Sequence, residues 1–87
     1  MRAVIERYAV YGFESTHDAL SAESVLACAG VPFATIPTPK SLGALCGIAL
    51  RVAARDASAA EAALIVAGLR WKARAEIEDR APRGLSR

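Results

Sequence analysis

The stretch "WKARAEIE", residues 71–78, decides the fold. Trp71, Ala73, Ala75 and Ile77 fall on one side of it, and Lys72, Arg74, Glu76 and Glu78 on the other. That period of two is the signature of a β-strand, and it suits an antiparallel sheet with one face packed and one wet. Immediately upstream, "RDASAAEAALIVAGL" (residues 55–69) changes to a helical period. Ala60, Ala63, Leu64 and Ala67 share one face, and Gly68 stops the helix. Asp56 or Ser58 can cap it, and Glu61, three residues after Ser58, completes the pattern of a capping box.

Further upstream, "IALRVA" (48–53) sets Ile48, Leu50 and Val52 against Ala49, Arg51 and Ala53, a third strand. "VPFATIP" (31–37) is a short strand whose prolines, Pro32 and Pro37, suit an edge. Between the two lies a loop from Thr38 to Cys46 with room for a short helical turn. From His17 to Ala29 the chain is helical, with Ala19, Ala22, Val25, Leu26 and Ala29 on one face and Gly30 at the end. Ser15 or Thr16 caps that helix, and Asp18 puts a carboxylate in its first turn. "YAVYGF" (8–13), with a start near Ile5, is the first strand. The order is β-α-β-β-α-β, which predicts an α+β, ferredoxin-like fold: a four-stranded antiparallel sheet with two helices on one face. Residues 1–78 form a single domain in this reading, and 79–87 a flexible basic tail.

At 87 residues and 54% hydrophobic, the chain holds one small core, thin because so much of it is alanine. No stretch reaches the roughly 20 apolar residues that span a bilayer. The start, "MRAVIERYAVYGF", is broken by Glu6 and Arg7 and lacks the form of a signal peptide. Both features point to the cytoplasm and away from a membrane partner. Net charge is +2, and nine of the eleven basic residues are arginines. The signs are mixed along the chain, so no basic patch or aromatic platform for nucleic acid is readable. Cys28 and Cys46 stand eighteen positions apart with His17 as the one histidine, which excludes a four-ligand Cys/His zinc site. No cofactor is expected.

Two readings fit Cys46. In one it is a small buried hydrophobe, the usual fate of a free cysteine. In the other it is an exposed thiol at the end of a Gly- and Ser-containing loop. There Gly47 removes bulk beside it, and backbone N–H groups and Lys40 favour the thiolate, the form that attacks. His17, in the first turn of helix one, either helps cap the helix or packs at the loop junction, or it serves as a neutral acid–base or hydrogen-bond partner. A Cys/His protease also needs an oxyanion hole and a substrate cleft, which a domain this small hardly provides. Cys28 reads as structural, and Trp71 as core or edge packing.

The residues 13–52, "FESTHDALSAESVLACAGVPFATIPTPKSLGALCGIALRV", resemble a family of small selenium/sulfur carrier-like domains. The first motif is carried by Phe13, Ser15, Thr16, His17, Ala19, Leu20, Ala22 and Glu23. The second runs through Ile36, Pro37, Pro39 and Lys40 to Cys46, Gly47 and the strand Ile48 to Arg51. The resemblance covers about residues 8–70. It implies a carrier or accessory protein rather than an independent enzyme. Cys46 would bear sulfur or selenium as a persulfide or perselenide, with His17 and Lys40 beside it and Ser15, Thr16, Ser41 and Gly47 in support. The implied partners are a cysteine desulfurase-like donor and a selenium or sulfur acceptor protein, and a homodimer is compatible with the role. The chain departs from the family pattern just before the cysteine, where "GAL" (43–45) replaces the serines of relatives. The alternative is a non-catalytic small-molecule-binding or protein-interaction module in which Cys46 is structural.

Overall fold

The structure, a computed structural model, describes residues 5–43 and 45–80. Its elements are β1 (Ile5–Gly12), α1 (Thr16–Ala29), β2 (Ala34–Pro37), β3 (Ile48–Ala53), α2 (Ala57–Val66) and β4 (Ala73–Arg80). Short 3-10 turns occupy Lys40–Leu42 and Ala54–Asp56. The strands form one sheet in the order β2-β3-β1-β4, and each neighbouring pair is antiparallel. This is the ferredoxin-like arrangement expected from the order of periods. β4 runs through Asp79 and Arg80, so the expected tail begins inside a strand and otherwise lies outside the described residues.

Local chemistry sets the helix ends. Ser15 is the N-cap of α1, and its hydroxyl accepts the backbone N–H of Asp18 at 3.1 Å. Gly30 closes the helix in the left-handed region at φ 74°, where a side chain would be strained. α2 ends similarly, with Gly68 at φ 78° and Leu69 N–H donating to Leu64 O. The capping box expected at the start of α2 does not form. The helix begins at Ala57 from a 3-10 turn, and Asp56 makes no side-chain cap. Glu61 reaches across to the sheet instead, accepting from Tyr11 Oη at 2.7 Å and from Arg74 Nε at 2.8 Å. A carboxylate with a buried phenol and a guanidinium at hand is better satisfied there than on a helix end that solvent can reach.

The core lies between the sheet and the helices. Ala9, Tyr11, Leu50 and Val52 meet Ala19, Ala22 and Leu26 of α1 and Ala57, Ala60 and Leu64 of α2. Alanines dominate the helix side, so the helices sit close to the sheet. Ala29 and Ala67, expected in the buried stripes, are exposed at the helix ends.

The register of β4 reverses a natural assumption about its apolar side. Arg74 pairs with Tyr11 and Glu76 with Ala9, and both β1 residues face the helices. The charged side of β4 therefore points toward the helix layer, at its rim. Ala73, Ala75 and Ile77 pair with Gly12, Val10 and Tyr8 on the opposite face. Trp71 does not share that face. It precedes the strand and turns its ring to Tyr11, with centroids 5.2 Å apart and edge to face.

The face away from the helices is not bare. Val10 and Ala49 on it are fully buried, and Tyr8 is 5% exposed beneath the Arg51 guanidinium at 4.2 Å. The connection from β2 to β3 crosses this face as a strap, and its 3-10 turn packs against β4 at the far side of the sheet. Leu42 and Leu45 lean on Gly12. A methyl group built there would stand 2.6 Å from Leu45 Cδ1 and 3.2 Å from Leu42 Cδ1.

Candidate functional site

Cys46 is the last-but-one residue of this strap, directly after Leu45 and before Gly47. Three hydrogen bonds hold it. Its N–H donates to Phe13 O at 3.3 Å, beyond the last paired residues of β1 and β3. Its carbonyl accepts the Thr38 hydroxyl at 2.6 Å. Its Sγ–H donates to Ile48 O at 3.3 Å. Thr38 N–H also donates to Gly47 O, so both ends of the strap are tied together. The side chain is half-buried and packs against the edge of the core.

The setting combines features of both readings of this cysteine. The backbone is held on each side and the sulfur touches the core, as a structural residue would. At the same time the neighbour Gly47 is exposed, and a Cβ there would meet nothing within 4 Å. That room lies at Gly47 itself, one residue along the backbone from the sulfur.

The other sequence-selected residues are spread around this point. Lys40 and Ser41 are exposed in the strap's 3-10 turn, where Lys40 O accepts from Gly43 N–H. His17 and Thr16 are exposed in the first turn of α1. No hydrogen bond or ion pair joins His17 or Lys40 to Cys46. Ser15 is engaged as the helix cap. Cys28 is exposed on α1 and lines a shallow apolar groove with Val25, Ala63 and Val66. Both cysteines are free thiols. Among the described residues no cluster of His, Cys, Asp and Glu is arranged to hold a metal ion, and no helix is long and apolar enough to cross a membrane.

Sequence reasoning missed Thr38, Gly12 and Leu45. Thr38 was legible only as a loop boundary, because its hydroxyl finds its acceptor eight residues away. Leu45 spends its side chain on the sheet, so the strap is anchored by apolar contact at the residue next to the thiol.

A family model described as "Putative Se/S carrier protein-like" matches residues 8–76. The match spans β1 through most of β4, with the strap and Cys46 inside it. The chain belongs to this Se/S carrier-like family. No curated protein and no solved structure gives a significant match. The matched region of this chain is a ferredoxin-like domain with a strapped sheet face and two free thiols.

Away from the thiol, the Tyr11–Glu61–Arg74 group ties β1 and β4 to α2. Burial of the phenol, reinforced by its hydrogen bond to the Glu61 carboxylate, pushes Tyr11 up to about 12. The same hydrogen bond, with Arg74 adding to it, holds Glu61 below the usual carboxylate range. A phenol kept neutral against an ionised carboxylate is a structural clasp at ordinary pH.

Proposed function

We propose that the protein is a thiol-based carrier of sulfane sulfur or selenium, with Cys46 as the bearing residue. The observation behind the choice of Cys46 is its position. Its backbone is fixed by Phe13 and Thr38, its sulfur is at the surface of the core, and open space lies at the next residue, Gly47. Cys28, by contrast, stands on a helix with no comparable polar frame.

In the transfer step the Cys46 thiolate attacks the terminal sulfur of a donor persulfide, of the kind a cysteine desulfurase carries. The Cys46–S bond forms, the donor S–S bond breaks, and the donor leaves as a thiolate that takes up the proton Cys46 gave to solvent. No net oxidation occurs, because the sulfane sulfur keeps its state throughout. Selenium follows the same balance. The attacking thiolate has no proton to give Ile48 O, so the side chain leaves its resting rotamer to react. Lys40, carried on the strap, and His17 on α1 orient the charged adduct once a partner is docked. Gly47 leaves room for the partner's chain, and the acceptor protein takes the chalcogen by the reverse exchange. The chemistry suits a reducing, cytoplasmic setting, where both thiols stay free.

The test is the mass of the protein after incubation with a cysteine desulfurase and cysteine or selenocysteine. The native chain and Cys28→Ala gain one sulfur or selenium atom that a reductant removes, and Cys46→Ala gains none. An adduct that follows Cys28, or no adduct on any form, overturns the assignment. A second reading, a binding or interaction module with a structural Cys46, is favoured by the Sγ–H bond to Ile48 O and the core contact. It predicts no adduct and a loss of stability on Cys46→Ser.

A further inference from the structure

The free edge of the sheet carries an inference independent of the thiol. The sheet ends on one side at β2, which has four residues and a proline at its last position. It ends on the other side at β4, eight residues without proline or glycine, and no described strand pairs with its outer edge. Long unpaired edges invite another strand, and proteins either block them or use them.

We propose that β4 pairs with β4 of a second copy of this chain, antiparallel and centred on Ala75, to make a continuous eight-stranded sheet. A two-fold axis perpendicular to the sheet reverses the strand and leaves the helices of both copies on one side. It also matches residues of the same face, so each possible register is centred on a single residue. Charge discriminates among these registers. Centring on Arg74 or Glu76 puts like charges at the axis. Centring on Ala73 sets Lys72 against Arg74, and centring on Ile77 sets Glu76 against Glu78. Centring on Ala75 sets Arg74 against Glu76 and Lys72 against Glu78 of the second copy, each twice.

The other face agrees with this register. Ala73 meets Ile77 of the second copy on each side of the axis, and Ala75 meets its own equivalent at it, so no two bulky residues collide along the apolar side. Arg74 keeps its own-chain partners, Glu61 at 2.8 Å and Glu76 at 3.3 Å, and shares them with Glu76 of the second copy, so the outer pair Lys72–Glu78 is the one free to exchange. Lys72 lies 3.6 Å from Glu14 and Arg7 lies 3.8 Å from Glu78, and all four side chains are more than half exposed. Exposed pairs of this kind are weak and rearrange readily.

Charge exchange at Lys72 and Glu78 tests both the dimer and its register. These side chains are exposed, so the variants keep the fold, which circular dichroism verifies. Sedimentation equilibrium of the native chain shows a reversible dimer whose dissociation constant rises with salt. Lys72→Glu and Glu78→Lys each convert two attractive pairs into repulsive ones, and each weakens the dimer about tenfold. A mixture of the two variants regains dimerisation as a heterodimer, since one chain is then acidic at both positions and the other basic at both. The double variant K72E/E78K regains it as a homodimer. A native chain that stays monomeric at millimolar concentration overturns the proposal. So does a dimer indifferent to the single exchanges, or a mixture that fails to recover.

Discussion

Replacing Gly12 by alanine is a small change at a crowded point. The strand backbone of β1 accepts any residue there, so the consequence is steric. The new methyl carbon would stand 2.6 Å from Leu45 Cδ1 and 3.2 Å from Leu42 Cδ1. Carbon atoms rest at about 3.5–4.0 Å, so Leu45 must retreat by roughly 1 Å. Because the obstructing atom is the end of a flexible side chain, the cost falls at the low end for overpacking, about 1 kcal/mol. The strap can absorb that cost by lifting from the sheet, which frees the next residue, Cys46. If all of it goes into opening the strap, the open population rises about fivefold. Alkylation of Cys46 by a small thiol reagent, followed in a Cys28→Ser background, should accelerate by the same factor. Leu45→Ala should also accelerate it by removing the anchor. Combined with Gly12→Ala, the methyl group partly fills the vacated space, so the two effects should be less than additive. An unchanged alkylation rate with a global stability loss of the full 1 kcal/mol would refute the reasoning, since the strain would then lie in the core and the strap would not be coupled to the thiol.

Other perturbations address the frame and the clasp. Thr38→Val removes the donor to Cys46 O and should cost about 1 kcal/mol by urea unfolding, with faster alkylation of Cys46, whereas Thr38→Ser should retain most of both properties. Stability should be complete below about pH 10 and decline as pH rises toward about 12. A phenol whose folded value is raised binds its proton more tightly than the unfolded chain does, and that advantage is lost through the folded value. Tyr11→Phe should flatten much of this alkaline decline in urea midpoints, leaving the smaller part from Tyr8, which burial also raises. Gly30→Ala places a side chain in the left-handed region at φ 74° and should destabilise the protein by about 1 kcal/mol, read as a lower urea midpoint with no change in Cys46 alkylation.

The order of elements was legible because each segment repeats its own period. β3 spans Ile48–Ala53, the alternating hexapeptide, and α1 lies between a serine cap and a glycine stop. Glu61 was misplaced for an instructive reason. Ser58 and Glu61 satisfy the spacing of a capping box, but Tyr11 is 50 residues away in sequence, and no local rule weighs a partner at that separation. The candidate site divides likewise. Cys46 and Gly47 stood out as a thiol beside a glycine, while Thr38 and Gly12 acquired roles only when the strap lay across the sheet.

By itself the sequence determined the alternation within β3 and β4, the glycine stops of the helices and the family to which the chain belongs. Yet it set Trp71 on the side of Ala73, when the ring turns to Tyr11 on the other face. It could not determine which side of β4 meets the helices, because a period of two relates residues to one another and not to the rest of the fold. Pairing with β1 decided that, and it sent Ala73, Ala75 and Ile77 to the face away from the helices. The strap that crosses this face gives the apolar side of "WKARAEIE" its neighbours, and the same strap ends at Cys46. Local chemistry names the cysteine, but the packing of Leu42 and Leu45 on Gly12 fixes the strap that carries it.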